Sequence, residues 1–266
     1  MGKIIEDAEA RVLELNILKN FAKFCEENQL RYYLAYGTLL GAVRNAGFIP
    51  WDNDVDVAMP RPDYEKFIKL TQDTKIGDNI DLLLYDCVRT FPFVKLVDNR
   101  TRLKEHFLVT ENSLGVYIDV FPLDGMPTDV NEQEKILKKS KLLIKMFNFA
   151  NSRFNTGASF VSKAVKNILY PVSKMISNKW ICKKLNSLGL RYSYDEQDYV
   201  GNIVWGWGKK DIMKKEWFET TKLVFENCEF DAPKGYHEYL SQGYGEYMKL
   251  PPEADRVIHA YEAEWK

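Results

Sequence analysis

Apolar positions three and four residues apart predict a helix over residues 5–28. The stretch contains no Gly or Pro, and its apolar stripe consists of Ala8, Val12, Leu15, Leu18, Ala22 and Cys25. A short aromatic and apolar run at residues 31–36 predicts a strand that Gly37 ends. Thr38 is then in position to cap a short helix containing Leu39, Leu40 and Val43.

Period-two alternation and turn residues predict the elements that follow. Acidic and apolar residues alternate over residues 54–59, which predicts a strand with one wet face. Pro60 and Pro62 predict the start of a helix that reaches about Leu70. Four further runs predict strands, at residues 80–84, 93–97, 102–107 and 116–121. This order predicts an α+β domain with a mixed sheet, followed by a mainly helical segment at 132–192 and a mixed one at 200–266.

Composition and charge narrow the class of protein. The chain has 266 residues, 45% of them hydrophobic, which is enough for a substantial core. Its net charge of −1 does not favour nucleic acid as a partner. The four cysteines, Cys25, Cys87, Cys182 and Cys228, form no C-x-x-C pair, so no zinc site is expected. Neither an apolar signal core nor a long uncharged apolar run is present, so we predict a cytoplasmic location.

The alternating acidic strand carries the main chemical signal. Asp54 and Asp56 point to the same face about 6–7 Å apart, and Asp52 joins them if the strand starts early, while Val55 and Val57 point into the core. Two carboxylates this close repel each other unless a cation neutralises them. Oxygen ligands with open positions suit Mg²⁺ or Mn²⁺. The alternative interpretation is a pair of surface acids on an edge strand.

The turn upstream of that strand supplies a second element of a phosphate site. Gly37 and Thr38 lead into a helix, whose N-terminal N–H groups and dipole attract phosphate. Such a turn is weak evidence alone, but here it precedes the acidic strand.

Two acidic motifs resemble the LicD family of phosphocholine transferases, which is related to fukutin and the fukutin-related protein. The resemblance rests on residues 36–59 and 116–125, and residues 244–252 with Arg256 and His259 fit the family's C-terminal pattern. The family usually has three successive aspartates where this chain has Asp52, Asn53 and Asp54. Strand alternation places Asn53 on the face opposite Asp54, so the departure affects only a supporting hydrogen bond.

This resemblance implies a nucleotidyltransferase-like core with a metal site. Asp54, Asp56 and Asp119 are the implied catalytic residues and the implied ligands of Mg²⁺ or Mn²⁺, with Asp119 as the candidate base. The donor would be a CDP-activated alcohol, with CDP-choline as the leading candidate. The acceptor would be a sugar hydroxyl of a cell-surface glycan or teichoic-acid precursor. Asp124, in a Pro-Leu-Asp-Gly turn, is interpreted as structural.

Further residues are candidates for binding substrate or phosphate. They are Gly37, Thr38, Arg44, Asp52, Lys95, Arg256 and His259, together with Trp205 and Trp207 for a quaternary ammonium group. Each has a plainer interpretation: Lys95 as a lysine reaching to the surface, Arg256 and His259 as a solvated helix face, and the two tryptophans as core residues.

The helical segment is unusually basic. Residues 135–194 contain no Asp or Glu and thirteen Lys or Arg, which leaves the rest of the chain at 24 − 38 = −14. An apolar stripe runs through Phe160, Val161, Ala164, Val165, Ile168, Leu169, Val172, Met175 and Ile176. We predict that this face rests on anionic membrane lipid, where it would meet a polyprenyl-linked or polymeric glycan acceptor.

These observations predict three parts and leave two rival functions open. Residues 1–131 form the catalytic core, 132–194 a basic helical insert, and 195–266 a C-terminal segment that completes the core and substrate site. The first rival is a nucleotidyltransferase that adds NMP from an NTP to a small hydroxylated molecule and releases pyrophosphate. The second is a non-catalytic surface protein with a relic site.

Overall fold

The computed structural model describes residues 2–84, 91–104, 114–152, 170–171, 175–253, 256 and 262–266. Within these residues the chain forms the predicted combination of helices and a mixed sheet. The helices are α1 (Asp7–Glu27), α2 (Tyr36–Asn45), α3 (Arg61–Leu70), α4 (Val130–Asn151), α5 (Asn178–Gly189) and α6 (Tyr236–Tyr244). The α+β prediction is confirmed at this level.

A seven-stranded sheet forms the centre of the fold. Its main path runs β2 (Tyr33–Leu34), β3 (Asp56–Pro60), β7 (Tyr117–Met126), β5 (Val94–Asp98) and β4 (Ile80–Leu83). The strand β3 is parallel to β7, whereas β5 is antiparallel to β7. The far end of β7 pairs with β8 (Tyr199–Gly201), which also pairs with β9 (Met213–Lys214). The strand β7 therefore links the acidic strand to the C-terminal part of the chain.

Two smaller antiparallel sheets complete the architecture. One contains β1 (Ile4–Ile5), β12 (Glu262–Trp265) and β6 (Thr101–Lys104), so it joins both ends of the chain. The other is the hairpin of β10 (Thr220–Phe225) and β11 (Cys228–Pro233). Residues 105–107 of the predicted strand at 102–107 lie outside the described residues.

The first helix forms where it is predicted, and its buried face overlaps the predicted stripe only in part. Leu18 and Cys25 of the stripe are buried, but Phe21 and Phe24 are buried as well, and Val12 of the stripe is 66% exposed. Phe21 and Phe24 pack edge-to-face against Phe67 of α3. The large aromatic groups thus decide the helix rotation, because they bury more apolar area than the small stripe residues.

The second helix begins earlier than predicted. It starts at Tyr36 after Ala35, and Thr38 does not cap it. The buried Thr38 hydroxyl instead accepts a hydrogen bond from the backbone N–H of Asp56 at 2.8 Å. Thr38 therefore ties α2 to β3, which is a long-range contact that the local pattern does not reveal.

The basic segment contributes to the same core as the sheet. Phe147 of α4 and Ile181 and Leu185 of α5 are buried in the main apolar cluster with Phe93 and Phe121. Most of the predicted apolar stripe lies outside the described residues; of its two described members, Met175 is exposed and Ile176 half-buried. The predicted division into three parts stays a prediction. In the part of the chain that is described, no helix has the length and apolarity to cross a bilayer.

Candidate active site

Three charged side chains lie side by side on the three central strands. In the β3–β7 pairing Asp56 is directly opposite Asp119, and in the β5–β7 pairing Lys95 is directly opposite Asp119. Side chains at paired positions of adjacent strands project from the same face. The sheet therefore brings together two aspartates and a lysine that lie 24 to 63 positions apart in the sequence.

Lys95 is the partner of Asp119. Its Nζ lies 2.6 Å from Asp119 Oδ1, and the residue is only 2% exposed. The ammonium group also lies 3.5 Å from the ring centroid of Tyr117 and 4.4 Å from that of Phe91. Lys95 is thus not a lysine reaching to the surface, because the carboxylate and the aromatic rings hold its charge inside the protein.

The aspartates repel each other. Burial raises the pKa of Asp56 well above its usual range, and Asp54, Asp119 and Asp52 raise it further, while Lys95 opposes them. Burial likewise raises the pKa of Asp119 to about 6, with Lys95 lowering it and Asp54 raising it. Burial also raises the pKa of Asp52, which a hydrogen bond with Asp54 counteracts. The four carboxyl groups of Asp52, Asp54, Asp56 and Asp119 therefore form one electrostatic cluster, which we call the acidic cluster.

The loop that carries Asp52 and Asp54 is fixed by Arg11 of α1. Arg11 Nη2 donates to the carbonyl oxygens of Pro50 at 2.8 Å and Asp52 at 3.2 Å, and to Asn53 Oδ1 at 3.3 Å. Asn53 is buried and thus takes part in holding the loop. The residue that departs from the family pattern therefore has the supporting role expected for it.

Gly37 allows Asp52 to approach the start of α2. A Cβ atom at position 37 would collide with Asp52 Oδ2. The residue before α2 is Ala35, which has no side chain that could cap the helix. Uncapped N–H groups and the positive end of the helix dipole therefore lie next to the acidic cluster, where phosphate binding is favoured.

Tyr36, which the sequence did not single out, is held in a strained conformation beside Gly37. Its φ is 45°, in the left-handed region that costs a non-glycine residue about 1–3 kcal/mol. Its N–H donates to the Tyr239 hydroxyl at 3.2 Å, and its own hydroxyl accepts from Asn202 Nδ2 at 3.0 Å. These contacts from distant segments hold the strained residue in place.

A pocket of about 310 Å³ adjoins the acidic cluster, and we call it the Trp51 pocket. Its lining includes Gly37, Arg44, Trp51, Asp52, Tyr244 and Glu246. The guanidinium groups of Arg44 and Arg256 lie 5.9 Å and 4.5 Å from the Trp51 ring centroid. The two predicted phosphate-binding arginines therefore meet at one tryptophan, whereas His259 lies outside the described residues.

The two tryptophans proposed for an ammonium group have different surroundings. Trp205 packs against Phe93 and Phe147 at centroid distances of 5.6 Å and 5.7 Å. These contacts favour the alternative interpretation of Trp205 as a core residue. Trp207 is 48% exposed and packs against Tyr36 at 4.9 Å. Its backbone N–H donates to the buried carboxylate of Asp211. Only Trp207 therefore presents an accessible ring.

Asp124 has the structural role expected of it. Its Oδ1 accepts a hydrogen bond from Arg61 Nε at 2.6 Å, and both residues are buried. Arg61 Nη1 also donates to Asn186 of α5 at 3.0 Å. This pair holds α3, β7 and α5 together.

The negative charge of the acidic cluster would favour binding of a divalent cation. Asp54, Asp119 and Asp52 all raise the pKa of Asp56, so a cation would relieve this repulsion. Among the described residues, however, no three His, Cys, Asp or Glu side chains stand ready as a complete ligand set. Mg²⁺ needs only one or two carboxylates when substrate phosphates and water supply the rest.

Sequence reasoning missed several residues around the site. Arg11, Tyr239 and Asn202 reach it from elements far away in sequence, and Tyr36 lies within the first acidic motif. The segment around Tyr244 and the residue Arg256, which fit the family's C-terminal pattern, were the signals that the C-terminal part lines the site.

Comparisons with known proteins identify the family. Residues 29–141 match the family model described as "LicD/FKTN/FKRP, nucleotidyltransferase domain". The lipopolysaccharide cholinephosphotransferase LicD of Haemophilus influenzae is 34% identical over 263 residues, which is 94% of each chain. Shorter matches are 38% identity over 58 residues to mannosyltransferase regulator 4 of Saccharomyces cerevisiae (21% of this chain, 5% of that protein) and 37% over 57 residues to an uncharacterized Rickettsia typhi protein (21% and 18%).

The long match covers nearly the whole chain, and the family model covers the acidic strand, Lys95 and Asp119. The predicted resemblance is thereby confirmed. The chain belongs to the LicD family of transferases.

Proposed function

We propose that this protein transfers phosphocholine from CDP-choline to a hydroxyl group of a cell-surface glycan, with Mg²⁺ or Mn²⁺ as cofactor. The observation that carries the proposal is the row formed by Asp56, Asp119 and Lys95 on adjacent strands. The similarity over 94% of the chain to a lipopolysaccharide cholinephosphotransferase supports the same reaction.

We assign the donor to the Trp51 pocket, next to the N-terminus of α2. The N–H groups of this helix and the guanidinium of Arg44 would bind the donor's diphosphate. Trp51 and Tyr244 offer aromatic rings, and Glu246 a carboxylate, to a quaternary ammonium group. Trp51 already packs against a cation at 4.5 Å, that of Arg256.

Asp54, Asp56 and Asp119 are the residues that would hold the metal ion. When bound, the ion would neutralise the charge that develops on the transferred phosphate and on the leaving group. Arg11 and Gly37 contribute by fixing the loop that carries Asp52 and Asp54.

The acceptor's hydroxyl oxygen would form a bond to the phosphorus of the phosphocholine group. The bond from that phosphorus to the oxygen of the CMP moiety would break, and CMP would leave. Asp119, whose raised pKa makes its carboxylate a better base than an ordinary aspartate, would take the hydroxyl proton. Lys95 would keep Asp119 ionised and oriented.

The leaving group distinguishes this reaction from nucleotidyl transfer. The protein is incubated with Mg²⁺, an acceptor glycan and either CDP-choline, CTP or ATP. We expect CMP from CDP-choline and a glycan heavier by one phosphocholine group in mass spectrometry. Pyrophosphate release from CTP or ATP would instead support transfer of NMP.

The acidic cluster is tested with a matched pair of variants. We expect Asp56→Asn to lower the rate by about 100-fold or more, because it removes charge where the transition state needs it. Asp73→Asn, at an exposed position, is the control and should keep the wild-type rate. Chelation should stop the reaction and added Mg²⁺ restore it. Equal rates in both variants would contradict the proposal.

A further inference from the structure

A second concave surface lies between α4 and the loop that carries Trp207. It has a volume of about 580 Å³, within the range of about 300–1,000 Å³ for pockets that hold organic ligands. We call it the Lys141 groove, and its lining includes Lys138, Lys141 and Lys145 of α4 and Asn202, Trp207 and Lys209 of the facing loop.

Helical spacing places the α4 residues on one face. Lys138, Lys141 and Lys145 are three and four positions apart, so they form a single row along the helix. The neighbouring Ser140 is buried and donates from Oγ to the carbonyl oxygen of Ile203 at 2.5 Å. This bond fixes the helix to the loop, so the groove is a built surface.

The groove is strongly positive. Four lysines line it against one acid, Glu134, which lies 2.6 Å from Lys209 and 3.7 Å from Lys138. Lys141 and Lys145 form no ion pair with any residue that the structure describes, and both are exposed. Two ammonium groups are therefore available to an anionic ligand.

The groove also has an apolar wall. The exposed part of Trp207 lies there with Leu137 and Ile144. An indole face packs well against the C–H face of a sugar ring. A quaternary ammonium group would be repelled by the lysines, and a flat bilayer does not fill a groove. An acidic saccharide fits both the charge and the aromatic wall.

The groove is connected to the acidic cluster through Tyr36. Asn202 lines the groove and donates to the Tyr36 hydroxyl, while the Tyr36 ring packs against Trp207. In the sequence Tyr36 precedes Gly37 and Thr38, and the Thr38 hydroxyl accepts from Asp56 N. Tyr36 and its neighbours Gly37 and Thr38 therefore link the lining of the groove to the strand that carries Asp56.

We propose that the Lys141 groove is the acceptor subsite and that it selects a saccharide carrying phosphate groups. Lys141 and Lys145 bind the anionic groups, and Trp207 packs against a sugar ring. The inference rests on the proposed function for the identity of the second substrate, but the groove's binding properties are measured without any transfer reaction.

The probe is deacylated lipopolysaccharide, used before and after removal of its phosphate groups. Its Kd is measured by isothermal titration calorimetry at low and high salt. The test variant is K141E/K145E, and the control is K135E/K139E, which makes the same charge change at exposed positions of α4 that do not line the groove. Trp207→Leu keeps an apolar side chain and removes the ring.

We expect Kd for the phosphorylated probe to rise at least tenfold in K141E/K145E and several-fold in Trp207→Leu, with little change in K135E/K139E. The dephosphorylated probe should bind more weakly and be insensitive to the lysine changes. Equal effects of the two double variants, or equal affinity for both probes, would overturn the proposal. Intact binding in a protein that transfers nothing from CDP-choline would refute the proposed function and leave the subsite standing.

Discussion

At the scale of single residues, the site depends on charges that are stable only together. Lys95 and Asp119 are both buried and 2.6 Å apart, so each compensates the charge of the other. Removing one member of a buried pair leaves an uncompensated charge, which is costly, whereas replacing both is often tolerated. Asp211 is a different case: it is buried and accepts a hydrogen bond from the backbone of Trp207, and burial favours its uncharged form by raising its pKa.

Lys95→Met should therefore destabilise the protein strongly. We expect a loss of about 3 kcal/mol in the free energy of unfolding, measured by urea denaturation, because Asp119 is left buried without its partner. The double variant K95M/D119L should recover much of this loss. Lys69→Met, at an exposed position of α3, is the control and should change stability by less than about 0.5 kcal/mol. A double variant as unstable as the single one would contradict the pairing.

Asp211 should make stability depend on pH. Burial raises its pKa to about 7, against about 3.9 in an unfolded chain. The folded state keeps this proton where the unfolded state has lost it, so the free energy of unfolding should fall as pH rises from about 4 to 7. Its titratable neighbours Tyr36 and Tyr239 have pKa values raised by burial and stay neutral in this range.

Asp211→Asn should remove this dependence on pH. The asparagine oxygen can still accept the hydrogen bond from Trp207, but the amide group does not titrate. Between pH 5 and pH 8, wild type should lose roughly 2–3 kcal/mol more stability than Asp211→Asn. Denaturant midpoints at both pH values measure the difference. Parallel pH profiles for the two proteins would show that Asp211 is ionised in the folded state.

At the scale of elements, α2 has opposite requirements at its two ends. Its N-terminus accommodates the Asp52 carboxylate only because residue 37 has no side chain. Its C-terminal Ala46 has φ 54°, a left-handed conformation that favours glycine. The first position serves the site, and the second ends the helix, where the carbonyl oxygen of Ala46 accepts a hydrogen bond from the backbone N–H of Glu226 at 3.0 Å.

Gly37→Ala and Ala46→Gly should therefore have opposite effects. Gly37→Ala displaces Asp52, and we expect the transfer rate to fall about 10–100-fold, because small misplacements of reacting groups are costly. Ala46→Gly relieves the left-handed conformation and should raise the free energy of unfolding by about 0.5–1 kcal/mol at an unchanged rate. Initial rates and thermal unfolding separate the two. Loss of activity in Ala46→Gly would show that the transfer rate responds to any change in α2 and not specifically to the position of Asp52.

At the scale of the whole molecule, charge is separated between two regions. Every charged residue of segment 135–194 is Lys or Arg, whereas the acidic cluster lies in the rest of the chain, which has a net negative charge. In the described part of the segment, α5 presents Lys179, Lys183 and Lys184 beside the exposed Trp180. This surface is the one on which the predicted contact with anionic lipid can be tested.

We expect the protein to co-sediment with vesicles rich in phosphatidylglycerol at low ionic strength and to dissociate at high ionic strength. The variant K179E/K183E/K184E should bind at least tenfold more weakly, since each basic residue contributes about 1 kcal/mol near an anionic surface. The control K19E/K23E/K69E changes three exposed lysines elsewhere. Equal binding by both triple variants would assign the effect to net charge alone.

The sequence by itself determined most of the elements before residue 132 and the chemical character of the acidic strand. Helical spacing located α1, Pro60 and Pro62 marked the start of α3, alternation placed Asp56 on the wet face of β3, and the two acidic motifs indicated the family. These features are local, because they depend on residues within one or two turns or along one strand. A sequence pattern can therefore reveal them.

Only the tertiary structure decided which distant groups meet. Strand register placed Lys95 on Asp119, helix packing brought Arg11 to the loop before β3, and the C-terminal loop put Asn202 against Tyr36. The partners in these contacts are 24, 41 and 166 positions apart. Their proximity follows from how whole elements bury their apolar faces, and no local period encodes it.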